Sequence, residues 1–208
     1  MMNTLPLIRI VDDDANFRES QKMFLQALGF EVRDWESAVR FLEEENFARP
    51  GCILLDILMP EMSGLELQKV LYMRRSDLPI IFLTGHGSIE TAVYTMKYGA
   101  ADFLEKTCSP LKLKETVERA CARSIERFKE KREAAELDFI YESLTPREKE
   151  VVAQVAEGRS NKEIADSLGI GAETVKMHRA NCFAKLRVKS ALEAYQWLAK
   201  WKEAQKRS

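Results

Sequence analysis

Four cysteines, Cys52, Cys108, Cys121 and Cys182, are scattered through 208 residues, and no two form a Cys-x-x-Cys pair. Such sparse usage disfavours a disulfide framework or a zinc site and leaves reduced thiols as the expected state. Histidine is scarcer still, with His86 and His178 alone. His178 has no companion ligand nearby in sequence, so packing or local capping is its expected role. Long apolar runs are missing too: none approaches the roughly 18–20 residues that span a bilayer. The N-terminus lacks a signal-peptide pattern, and the expectation is a soluble, cytoplasmic chain. Net charge is also nearly absent, at -1.

What the chain does have is enough apolar residues, 46%, for real cores, and a length natural for two domains. The small net charge conceals an asymmetry. Residues 145–208 hold 13 Lys/Arg against 8 Asp/Glu, whereas the preceding part is acidic by 6 charges. An acidic front and a basic back point to a nucleic-acid partner for the back.

Through residue 122, short apolar runs alternate with helical patterns, the mark of a doubly wound parallel sheet. The expected strands are Leu7–Val11, Glu31–Trp35, Cys52–Asp56, Ile80–Thr84 and Asp102–Glu105. Residues 15–28 carry Phe17, Phe24, Leu25 and Leu28 at helical spacing before Gly29; further helices open at Gly64 and occupy residues 88–98 before Gly99. Five strands and five helices in about 120 residues make a flavodoxin-like α/β domain, whose ligands bind outside the carboxyl ends of the strands. Asp12, Asp13, Asp56 and Thr84 fall at such ends. Strands ending side by side would gather these carboxylates around a divalent cation. Asp14 fits better as the cap of the first helix.

Ser109-Pro110 reads as a cap and first-turn proline, starting a helix with no stop before Ser143. Val117, Cys121, Ile125, Phe128, Arg132, Ala135 and Phe139 follow steps of four and three along it, alternating from Cys121 on, a heptad-like stripe broken by Arg132. The expectation is a connecting helix able to pair with its own copy, or else a solvated one. Residues 144–202 are helical throughout. Thr145, Pro146 and Glu148 open one helix, Ser160 caps the next, and Gly169-Ile170-Gly171 turns into a third, Glu173–Leu186. Two helices across a short glycine turn make a helix-turn-helix unit.

Residues 7–122 resemble the receiver domain of bacterial two-component response regulators. The resemblance lies in Val11-Asp12-Asp13-Asp14, in Leu55 through Gly64, in Thr84-Gly85-His86-Gly87 and in Asp102-Phe103-Leu104-Glu105-Lys106. Residues 144–202 resemble the all-α, four-helix DNA-binding domain of the LuxR/FixJ type, through Leu144-Thr145-Pro146-Arg147-Glu148, Asn161 to Ala165 and Thr174 to Ala180. The implied layout is a receiver over residues 1–122, a helical linker over 123–143, with coiled-coil pairing as one option, and a helix-turn-helix domain over 144–208.

The resemblance implies a transcription factor switched by phosphorylation rather than an enzyme. Asp56 would take a phosphoryl group from a sensor histidine kinase. Mg2+ would sit on Asp13 directly, on Asp12 largely through water, and on Asp56 and the Leu58 backbone carbonyl; such a sparse oxygen set suits an ion that keeps several waters. Lys106 and the Thr84 hydroxyl would meet the phosphoryl oxygens, since phosphoryl transfer depends on positioning and charge compensation. Thr84 would then shift and Phe103 move inward, turning the face that includes Val93, Met96, Lys97 and Tyr98 into a homodimer surface. On promoter DNA, Lys176, Met177 and Ala180 would face the major groove, with Arg179, Lys185, Arg187 and Lys189 near phosphates. RNA polymerase is a further implied partner. The aromatic last helix, with Leu192, Tyr195, Trp197, Leu198 and Trp201, would cover the domain core and support dimerisation.

Two departures stand out. Thr107 follows Lys106 where receivers of this type usually carry proline, and Cys108 stands where phenylalanine is common in the related subfamily. A cis bond before a non-proline residue costs about 2.5–4 kcal/mol, so a trans or strained loop, a differently placed Lys106 and functional phosphorylation with altered kinetics are expected. Two rival functions follow from the same residues. A haloacid-type, Mg2+-dependent phosphohydrolase needs Asp-x-Asp, and Asp56-Ile57-Leu58 lacks the second carboxylate. A phosphorylation-independent dimeric DNA-binding protein would draw on the Thr107 departure.

Overall fold

The computed structural model describes residues 5–85 and 88–207, so His86 and Gly87 of the Thr84 motif lie outside the described residues. The chain divides into two compact units, residues 1–128 and 129–208.

In the first unit, β1 (Leu7–Val11), β2 (Glu31–Trp35), β3 (Gly51–Leu55), β4 (Ile80–Thr84) and β5 (Asp102–Glu105) form a parallel sheet in the order β2-β1-β3-β4-β5. The helices are α1 (Ala15–Ala27), α2 (Ala38–Glu44), α3 (Gly64–Met73), α4 (Ile89–Lys97) and the first part of α5 (Pro110–Glu142). β1, β3 and β4 are buried along their whole length because helices cover both faces of a parallel sheet. Leu25 of α1 and Leu113, Val117 and Cys121 of α5 pack on one face. Phe41 of α2 and Leu67 and Leu71 of α3 pack on the other.

Helix starts follow local chemistry. Asp14 accepts from the backbone N–H groups of Asn16 and Phe17, which makes it the α1 cap. Ser63 and Glu66 form a reciprocal capping box on α3. One feature of β1 defies its apolar pattern. Arg9 is fully buried, and its guanidinium donates to Leu7 O (2.9 Å), Glu45 Oε1 (3.0 Å) and Arg49 O (3.0 Å). A buried cation persists only with such partners.

The second unit takes in the C-terminal part of α5 and adds α6 (Pro146–Ala156), α7 (Asn161–Leu168), α8 (Ala172–Leu186) and α9 (Ala191–Arg207). Tyr141 of α5 stacks on Trp201 with ring centroids 3.7 Å apart, and the Trp201 indole N–H donates to Asp138 at 2.8 Å. Lys200 also pairs with Glu133. The unit boundary therefore falls inside the helix, because its later turns carry their own core contacts. The expected stripe divides as well: Val117 and Cys121 belong to the sheet core, whereas Phe139 is 80% exposed.

Candidate functional site

Asp56 directly follows β3, and its backbone N–H donates to Val11 O at 2.9 Å, which ties it to the end of β1. Its Oδ1 accepts from the Ile57 N–H (2.7 Å) and its Oδ2 from Lys106 Nζ (2.9 Å). Lys106 also reaches Asp12 Oδ2 at 2.7 Å, and Asp12 Oδ1 accepts from the Asp14 N–H at 2.9 Å. The loop after Asp56 closes when the Gly64 N–H donates to Ile57 O at 2.9 Å. Gly64 is needed there, because a Cβ would collide with the Asp56 carbonyl oxygen.

Electrostatics follow from this sharing. Burial raises the Asp12 pKa, against the pull of the Lys106 hydrogen bond. Burial works against the Lys106 charge, yet the hydrogen bonds it donates to Asp12 and Asp56 hold its pKa above the usual lysine value. The Lys106 ammonium also lies 4.5 Å from the Phe17 ring centroid, a cation–π contact that nothing in the sequence pattern marked. The Lys106 N–H donates to Thr84 O at 2.8 Å, and the Cys108 N–H donates to Glu105 O at 2.9 Å. There is no cis peptide among the described residues, so the loop through Thr107 is trans there and still delivers Lys106 to both carboxylates.

Carboxylate oxygens of Asp12, Asp13 and Asp56 can all lie within 4.8 Å of one another, with Asp13 exposed and the others buried. One ammonium against three carboxylates leaves negative charge that a divalent cation would offset, so the donor set fits a hard oxygen-seeking ion. Leu58 stands exposed in the loop beyond Asp56, and Thr84 is buried at the end of β4. Phe103 packs partly buried against the α2/α3 side of the sheet. On α4, Val93 is 63% exposed and Met96 and Tyr98 are also open, with Tyr94 and Tyr98 rings 4.5 Å apart.

In the second unit, α7 and α8 meet at Gly169, whose φ of +65° gives the left-handed turn that ends α7. On α8, Val175, Cys182 and Leu186 face the core, while Lys176, Met177 and Ala180 are exposed. Lys176 pairs with Glu173 at 2.6 Å. Arg187 and Lys189 are exposed just beyond the helix. Arg179 and Lys185 have internal partners. Arg179 donates to Asn161 Oδ1 (3.0 Å) and lies over the Phe183 ring. Lys185 donates to Glu148 Oε2 (2.6 Å) and Ser143 O (3.1 Å). Glu148 is buried, and its Oε2 also accepts from the capped Thr145 N–H at 2.8 Å. Burial is the strongest single influence on Glu148 and raises its pKa, but the hydrogen bonds from Lys185 and Thr145 and the Lys185 charge together outweigh it, and the net shift is downward. The motif showed Glu148 as a capping residue; its tie to Lys185 spans 37 positions and was not foreseeable.

An acidic cluster at the carboxyl ends of the central strands of a parallel sheet, on a chain that also carries a helix-turn-helix unit, is the arrangement of a two-component regulator of transcription. Residues 8–118 match the response regulator receiver domain family, and residues 142–198 match the luxR family of bacterial regulatory proteins. The chain belongs to the response regulators that join these two domains. It is 37% identical to the transcriptional regulatory protein FixJ of Azorhizobium caulinodans over 193 residues, 93% of this chain and 91% of that protein. It is 36% identical to the tetrathionate response regulatory protein TtrR of Salmonella typhimurium, over 89% of this chain and 88% of that protein. Among solved structures, the response regulator StyR aligns with a TM-score of 0.90 at 38% identity, covering 94% of this chain and 99% of that one. No helix among the described residues is long and apolar enough to cross a membrane.

Proposed function

We propose that Asp56 accepts a phosphoryl group from a phosphohistidine of a sensor kinase. An Asp56 carboxylate oxygen would bond to phosphorus while the phosphorus–nitrogen bond breaks, its electron pair returning to the imidazole. Mg2+, held by Asp12, Asp13, Asp56 and the Leu58 carbonyl, would supply positive charge beside the phosphoryl oxygens. Lys106, already positioned between Asp12 and Asp56, would transfer a hydrogen bond to the new oxygens, and the Thr84 hydroxyl would donate another. The sharing of one ammonium between Asp12 and Asp56 is the observation that carries this reading.

The output is a homodimer that binds promoter DNA. Inward movement of Phe103 would favour pairing through the α4 face at Val93, Met96, Lys97 and Tyr98. Lys176, Met177 and Ala180 would then read base edges, and Arg187 and Lys189 would meet phosphates. Arg179 and Lys185 would contribute chiefly by holding α8 on its neighbours, and only secondarily as phosphate ligands. RNA polymerase would be met through the promoter-bound dimer.

The test incubates the full chain with Mg2+ and an acyl phosphate, then follows mass, sedimentation and promoter binding. The expected result is one phosphoryl adduct, mapped to Asp56, with dimer formation and tighter DNA binding. An adduct that persists in Asp56→Ala would refute the assignment. Equal DNA binding by wild type and Asp56→Ala would favour phosphorylation-independent dimerisation, and turnover of an external phosphate ester would favour a hydrolase.

A further inference from the structure

Cys52 on β3 and Cys121 on α5 are buried, and their sulfurs stand 3.8 Å apart although the residues are 69 positions distant. Neighbouring backbone holds them in place. The Gly51 N–H donates to Ser124 Oγ at 3.0 Å, so adjacent residues of β3 meet α5 at successive positions of one helix face. The buried Arg9 guanidinium is in register with Ile53 rather than Cys52, on the other face of the sheet, and acts on both thiols through its charge alone. Nothing in the phosphoryl or DNA chemistry uses this cluster.

We propose that Cys52 and Cys121 form a reversible dithiol–disulfide couple, oxidised by a small peroxide, that staples α5 to β3. Disulfides need sulfurs about 2.05 Å apart and Cβ atoms about 3.5–4.5 Å apart, so side-chain rotation with a small shift of α5 closes the gap. Cys121 is the attacking sulfur: the hydrogen bond it shares with Cys52, together with the Arg9 charge, lowers its pKa against the effect of burial. The same hydrogen bond, with burial, holds Cys52 well above the usual thiol value.

In the first step the Cys121 thiolate attacks one peroxide oxygen; the sulfur–oxygen bond forms, the oxygen–oxygen bond breaks, and hydroxide leaves to become water on taking the Cys121 proton. In the second, Cys52 attacks the Cys121 sulfenic sulfur, the sulfur–sulfur bond forms, and the hydroxyl departs as water with the Cys52 proton. Two thiols lose two electrons and two protons, and the peroxide becomes two waters. Burial makes the first step depend on transient separation of α5 from β3, which favours a reagent as small as hydrogen peroxide over a bulky disulfide.

The experiment uses the full chain carrying Cys108→Ser and Cys182→Ser, which removes the other two thiols. Folded protein is treated with hydrogen peroxide, quenched with a thiol alkylator and mapped as non-reduced peptides. The expected product links the Cys52 and Cys121 peptides within one chain, reverts with dithiothreitol, and raises Tm by about 5–15 °C. Cys52→Ala in this background should leave a Cys121 sulfenic acid that dimedone traps. The proposal fails if both thiols stay alkylatable on unfolding, if Cys121 advances to sulfinic acid without a link, or if the link forms only in urea.

Discussion

Lys106 Nζ lies 2.7 Å from Asp12 Oδ2 and 2.9 Å from Asp56 Oδ2, so a single ammonium holds the ends of β1 and β3 together through their carboxylates. Lys106→Ala should therefore change two properties in opposite directions. Mg2+ affinity, read by calorimetry, should rise because a competing cation is gone. The rate of Asp56 phosphorylation by an acyl phosphate should fall roughly 10²-fold or more, the usual effect of losing one preorganised donor. An unchanged rate would remove Lys106 from the chemistry.

Gly64→Ala should be among the most damaging small substitutions in the chain. The added methyl collides with the Asp56 carbonyl oxygen, and backbone rather than a flexible side chain must yield. A loss of about 3 kcal/mol in urea unfolding is expected, with slower phosphorylation because the shifted atom belongs to the acceptor residue.

Glu148 sets an acid limit for the second unit. Its pKa is lower folded than the ordinary 4.5, so its stabilisation is present above that value and is lost as pH falls through the folded one. Trp35 is the one tryptophan of the first unit, so Trp35→Phe leaves fluorescence to Trp197 and Trp201. In that background, unfolding should show an acid-dependent decline below about pH 4.5 that Glu148→Gln reduces, the remainder belonging to Glu133, Asp138 and Glu163, whose pKa values are also lowered. At neutral pH that variant should cost about 1–2 kcal/mol, toward the low end for a charged hydrogen bond because the Lys185 side chain is 37% exposed.

Two DNA-side variants should behave differently. Lys189→Ala should weaken binding to all duplexes alike and flatten the slope of log K against log salt by about 0.9. Met177→Ala should leave that slope intact while reducing discrimination at one base position by about 1–3 kcal/mol. Binding titrations of a preferred duplex and its point variants at several salt concentrations separate the two.

Most of this architecture was legible because its signals are local. β1 and β3 ran as mainly apolar stretches leading straight to aspartates, and Asp14, Thr145 and Ser160 cap helices within three positions of themselves. Asp56 was legible for the same reason. What escaped the sequence reading depends on distant partners: Arg9 with Glu45, Lys106 over Phe17, and Lys185 with Glu148. The loop through Thr107 is trans, as expected, and its effect on Lys106 is set by the strand before it. Lys106 is fixed by the Thr84 carbonyl on the preceding strand, so its reach to Asp12 and Asp56 does not depend on a proline after it.

Arg9 has one more consequence. Leu7, Ile8, Ile10 and Val11 would be nearly as well buried if β1 slid by two residues along its neighbours, since alternation of faces would be kept. Arg9 would not. Leu7 O would travel with the strand, but Glu45 Oε1 and Arg49 O accept from Arg9 at one alignment only, and a slipped strand would leave its charge without the carboxylate in the apolar layer. A single costly charge thus serves as a proofreading mark for the assembly of the sheet, and it does so on the strand whose end must bring Asp12 beside Asp56.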